Sequence, residues 1–141
     1  MTWTNKTFTE YILYEPILRI LMLCGYSVQC EFACPGIPKN VKGGDLKRVD
    51  FEATGKTVRF ALEVKWPRRA MRTLNVKADH TKLVAFHDED KTSHSFLCLF
   101  GRYEHIKNIK LSPNNFTERL KPIYALFRRT QFGCRIFQLN A

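Results

Sequence analysis

The chain has 141 residues, 45% hydrophobic and 13% aromatic, with 23 Lys and Arg against 13 Asp and Glu for a formal net charge of +10. The sequence holds no low-complexity tract and no internal repeat, and these values describe one globular domain over 1–141 with enough apolar content for a core. The basic excess favours a polyanionic partner, nucleic acid or an acidic surface.

Thr7-Phe8-Thr9-Glu10 has the spacing of a capping box and predicts a first helix running to about Cys24, with Gly25 as its stop. Pro16 inside that span predicts a kink or a second start. No run reaches the roughly 18 apolar residues of a membrane span, so no membrane partner is expected. The short apolar run Ile17 to Cys24 follows acidic residues and a proline, unlike a signal peptide. Five cysteines (Cys24, Cys30, Cys34, Cys98, Cys134) without an export signal are expected to be reduced and partly buried in a cytoplasmic protein. No CxxC pair or matching histidine spacing supports zinc.

Tyr26 to Ala33 predicts a short strand, and Pro35 to Gly44 a loop rich in Pro, Gly and Lys. Residues 46–54 and 57–66 predict a β-hairpin ended by Pro67. Folded about Gly55-Lys56, it pairs Val49 with Leu62, Phe51 with Phe60 and Ala53 with Val58, giving one apolar face. Period-two alternation sends Arg48, Asp50, Glu52, Arg59, Glu63 and Lys65 to the other face. An even-numbered turn is required to keep Asp50 and Glu63 together, and the apolar face demands the same turn. Glu52 is expected to pair with Arg59 across the strands.

After a basic connection over 68–76, Lys77 to Asp90 predicts a helix with Leu83, Val84 and Phe86 or His87 inward. Ser95 to Phe100 is a continuous apolar run, expected to be a central buried strand. Asn115 to Arg129 predicts an amphipathic helix and Cys134 to Leu139 a last strand. The fold class is therefore α/β, a mixed sheet flanked by helices, with a C-terminal helix and strand.

Chemistry concentrates on the acidic face of the hairpin. Hydrolysing a phosphodiester at neutral pH needs a cation to neutralise the phosphate and lower the pKa of a water. Mg²⁺ takes oxygen ligands, one or two carboxylates among them, and keeps several waters. Asp50, Glu63 and the carbonyl of Val64 offer such oxygens, and Lys65 can orient the water or stabilise charge. Spacing alone serves two readings: a metal-holding pair, or solvated polar residues on an exposed sheet face.

Asp50 on one strand and Glu63-Val64-Lys65 on the next resemble the motif of the PD-(D/E)xK nuclease superfamily, the restriction-endonuclease-like fold. Val49 stands where the motif's proline would be. The resemblance implies an αβββαβ core over residues 7–100, a Mg²⁺-dependent (or Mn²⁺-dependent) endonuclease activity, most of all on DNA, and Asp50, Glu63 and Lys65 as catalytic residues. It also implies an outer acid on the first helix. Glu15, ten residues before Gly25, fits that position, with Pro16 directly after it as a departure. Lys82 stands where relatives place a phosphate-reaching residue, and Arg68, Arg69 and Arg72 follow the motif closely enough to contact backbone phosphates. Trp66 and Tyr103 are candidates for base stacking. A nuclease-fold binding module, docking on a protein partner without turnover, and a basic RNA-binding protein are the competing readings. A homodimer stays open.

Overall fold

The computed structural model describes residues 11–34 and 48–140. The capping box at 7–10 and the loop at 35–44 lie outside the described residues. Within them the elements run α1 (Tyr14–Leu23), β1 (Ser27–Ala33), β2 (Arg48–Thr54), β3 (Arg59–Lys65), β4 (Thr73–Asn75), α2 (Lys77–Glu89), β5 (His94–Arg102), α3 (Tyr103–Ile106), β6 (Lys110–Ser112), β7 (Phe116–Phe127) and β8 (Thr130–Leu139). No helix among them is long and apolar enough to cross a membrane.

The architecture is mixed α/β, built on an open mixed sheet ordered β1-β2-β3-β5-β8-β7. Neighbours are antiparallel except β3 and β5. A parallel pair needs a crossover, and α2 is that crossover. It lies on the sheet, with Leu83 and Phe86 fully buried against Ala61, Leu97 and Leu99. Truncating one of these large side chains to alanine costs about 2–5 kcal/mol. Residues 94–102 form the expected central buried strand, longer than its apolar run. β4 and β6 pair separately in parallel, the first of them inside the basic connection.

α1 starts at Tyr14, so Pro16 falls in the first turn, where its missing N–H costs no intrahelical bond. Gly25, at φ 91, ends the helix in the left-handed region that suits glycine.

Two expectations are corrected. Residues 115–129 form no helix; they are the long strand β7, hydrogen-bonded to β8 from Phe116↔Leu139 to Phe127↔Thr130. Phe116, Leu120, Ile123, Tyr124 and Phe127 recur at helical intervals, but the pairing partner lies beyond the local window. A bulge between Arg119 and Ile123 accommodates Pro122, which cannot donate to a ladder. The C-terminal part of the sheet is thus a hairpin of β7 and β8, not a helix and a strand.

The β2–β3 register is also shifted by two. Phe51 pairs with Leu62, Ala53 with Phe60 and Thr54 with Arg59, and the intervening loop is closed by Gly55 N–H on the Val58 carbonyl at 2.7 Å. A two-residue turn favours positive φ at both central positions, which Lys56 resists; in the wider loop no non-glycine residue has positive φ. A shift of two preserves the faces within the ladder, and Asp50 and Glu63 stay together. Val49, beyond the ladder's end, leaves the expected apolar face and joins the core cluster of Leu83 and Phe86. The expected Glu52–Arg59 ion pair is present at 3.5 Å.

Candidate active site

The acidic face of β2 and β3 is turned toward α2. Glu63 is 2% exposed, which removes the reading of a solvated sheet face. The β2–β3 ladder stops at Phe51↔Leu62, and beyond it the carboxylates take over the bonding. The Val64 N–H donates to Asp50 Oδ2 at 2.8 Å, and the Asp50 N–H donates to Glu63 Oε1 at 3.2 Å. Each acid thus accepts a backbone N–H from the other's strand, which fixes both near the strand ends.

Tyr14 of α1 donates its hydroxyl to Asp50 Oδ1, and its ring packs on Phe51 with centroids 4.8 Å apart. From α2, Lys82 Nζ reaches Glu63 Oε1 at 2.9 Å and Asp79 Oδ1 at 3.6 Å. Lys65 Nζ lies 3.2 Å from the same Asp79 oxygen, its side chain 32% exposed. Three carboxylates (Asp50, Glu63, Asp79) thus face two ammonium groups (Lys65, Lys82), leaving one negative charge in excess when all are ionised.

The protonation energetics follow from that arrangement. Burial pushes the Glu63 carboxyl well above its ordinary range, and the Asp50 charge pushes it further, against the pull of Lys82. Burial also raises Asp50, opposed by the hydrogen bonds from Tyr14 and Val64 and by both lysines. Burial alone would lower Lys82, but Glu63, Asp79 and Asp50 outweigh it and hold the ammonium up. The Tyr14 hydroxyl is raised by burial and by the Asp50 charge, so it stays a donor.

The structure brings together Asp50, Glu63, Lys65 and Lys82. Lys82 is buried on the carboxylates instead of reaching outward toward a phosphate. Glu15 is not brought in: its side chain is 64% exposed and ion-paired with Arg19 one turn along α1, while its neighbour Tyr14 takes the inward position. Arg68, Arg69 and Arg72 are exposed on the connection after β3. Trp66 packs edge-on against Phe100 at 4.9 Å.

Tyr14 and Asp79 were not singled out from the sequence. Asp79, Lys82, Leu83 and Phe86 form one buried stripe of α2, so a helical wheel that admitted charged residues would have found Asp79. Tyr14 carries no comparable signal.

Among the described residues no group of three or more His, Cys, Asp or Glu is placed to hold a metal ion. The donor set at Asp50 and Glu63 is nonetheless all oxygen, with two desolvated carboxylates whose charges a hard divalent cation would offset, and this fits Mg²⁺ or Mn²⁺ completed by water. No family model, no curated protein and no solved structure matches the chain.

Proposed function

We propose that this chain is a divalent-metal-dependent nuclease that hydrolyses phosphodiester bonds, with DNA as substrate, on a restriction-endonuclease-like core. The order α1, β1, β2, β3, α2, β5, interrupted only by the short β4 before α2, supports that core assignment. The observation that carries the activity is the buried pairing of Asp50 with Glu63, with the partly exposed Lys65 ammonium beside it on Asp79.

Asp50 and Glu63 would hold the cation, with the Val64 carbonyl as a further oxygen. The ion, when bound, supplies Lewis acidity toward a phosphate oxygen and a lowered pKa for a water. Tyr14 and the Val64 N–H orient the Asp50 carboxylate, and the Asp50 N–H with Lys82 orients Glu63. Lys65 Nζ is the group that steers the attacking water or offsets charge on the phosphate. Asp79 holds Lys65 in place. The +10 charge draws the polyanion to the surface.

The test is cleavage of plasmid, single-stranded, branched and RNA substrates with Mg²⁺ or Mn²⁺, stopped by chelation. Wild type should cut, and Glu63→Gln and Lys65→Ala should not. Residual cleavage at wild-type rate in both variants, or none by wild type on any substrate, overturns the reading.

One observation favours a non-catalytic binding module instead. Both Asp50 oxygens and Glu63 Oε1 already accept internal hydrogen bonds, so the cluster is satisfied without a metal. That reading predicts no Mn²⁺ binding by calorimetry.

A further inference from the structure

On the sheet face opposite Lys65 lies a half-open cavity of about 380 Å³, lined by Trp66, Arg68, Arg102, His105 and Phe132. Lys65 and Trp66 are consecutive at the end of β3, so alternation sends the Lys65 side chain toward α2 and Trp66 to the other face. The cavity therefore sits at the same end of the same strand as the carboxylate pair, behind it.

Its walls are built, not incidental. Phe100 meets Trp66 edge-on at 4.9 Å and lies near-parallel to Phe132 at 6.0 Å and 11°, so it braces the two aromatic rings that line the cavity. Gly101 permits this: a Cβ there would come within 3.3 Å of Trp66 Cδ1 and 3.2 Å of the Pro67 carbonyl. Arg102 and Phe132 are cross-strand partners on β5 and β8, which puts a guanidinium beside an aromatic face. The Arg68 guanidinium lies over the Trp66 ring at 4.9 Å, a cation–π contact that pre-positions it. Glu104 lies beside His105 at 3.9 Å and is 69% exposed.

Two guanidiniums and a histidine beside aromatic surface match a ligand with a phosphate and a flat base. The volume falls in the range of small-ligand sites, roughly 300–1,000 Å³. We propose that this cavity takes one unpaired nucleotide of a nucleic-acid strand, its phosphate between Arg68 and Arg102 and its base against Phe132. The proposal rests on the nucleic-acid reading above and deepens it: a strand that passes the carboxylate pair and rounds the end of β3 is single-stranded where it enters this cavity. A paired base cannot stack there, because its face is already covered in the duplex.

The test is fluorescence anisotropy of a labelled short oligothymidylate and of the corresponding duplex, with the full chain in chelator, so that no cleavage enters the readout. Arg102→Ala and Arg68→Ala should each weaken single-strand binding about tenfold and lower the salt slope by about one. Phe132→Leu, which keeps apolar volume under Phe100, should weaken it roughly fivefold with the salt slope unchanged. Duplex affinity should move with the arginines and not with Phe132. Thymidine monophosphate should displace the oligonucleotide, and thymidine at equal concentration should not. Unchanged single-strand affinity in Arg102→Ala and Phe132→Leu overturns the site, as does failure of thymidine monophosphate to displace the bound oligonucleotide. If the binding pattern holds while wild type cuts nothing, the nuclease reading falls and the nucleotide site stands.

Discussion

Lys82 Nζ and Glu63 Oε1 meet at 2.9 Å with side chains only 5% and 2% exposed. Breaking a buried pair from one side leaves the other charge uncompensated, which costs more than the intact pair contributes. Lys82→Met should therefore destabilise the protein in urea unfolding, by less than the roughly 3 kcal/mol of a pair that stays ionised, because burial lets Glu63 take up a proton instead. Excess Mn²⁺ should restore part of that loss by replacing the missing positive charge. A variant as stable as wild type would show that Glu63 is not held ionised by this lysine.

Asp50→Asn acts in the opposite direction. The amide oxygen can still accept from Val64, and one of the crowded negative charges is gone. At neutral pH the variant should be more stable than wild type by about 1 kcal/mol, the usual size of relief at a functional site. The sign with pH follows from linkage. Asp50 has a raised carboxyl in the folded state, so in the window above the ordinary carboxylate range the native state binds more protons than the unfolded one, and stability falls as pH rises. The stability advantage of Asp50→Asn should thus grow from acid toward neutral pH and vanish below both pKa values. A constant advantage would contradict it.

Metal binding should be coupled to protons. Because burial raises Glu63 and Asp50, a cation entering between them displaces protons that ordinary carboxylates would already have lost. Mn²⁺ titration in buffers of different ionisation enthalpy should show proton release that increases as pH falls, with affinity falling in parallel. Glu63→Gln should abolish the binding heat.

Not all of the basic charge serves a polyanion. Arg135 forms a two-pronged pair with Glu118 at 2.9 and 2.8 Å and donates to the Ile106 and Ile109 carbonyls at 2.6 and 2.9 Å. This guanidinium ties β7, β8, the end of α3 and the segment after it together. Lysine cannot reproduce the fork. Arg135→Lys should cost about 3 kcal/mol of stability by denaturant unfolding, with single-strand affinity unchanged in the folded protein.

The sequence was most legible where local pattern and tertiary demand agreed. Alternation in 48–65 placed the carboxylates on one face despite a register off by two, since an even shift preserves faces. The 3.6-residue period of 77–89 marked α2, while its inward Asp79 went unread and Lys82 was expected to reach a phosphate, because Lys65 and Glu63, which pair with them, come from β3. The 115–129 segment misled because helical spacing is local and the β8 partner is not. Tyr14 could not be read at all, since nothing local ties a helix tyrosine to an aspartate 36 residues away.

The most direct test of the carboxylate pair as a metal centre is the anomalous difference density of a crystal soaked in Mn²⁺. The expected result is one peak within coordination distance of both Asp50 and Glu63, with Lys82 Nζ drawn back from Oε1. Density elsewhere, or none with the Lys82–Glu63 contact intact, would contradict it.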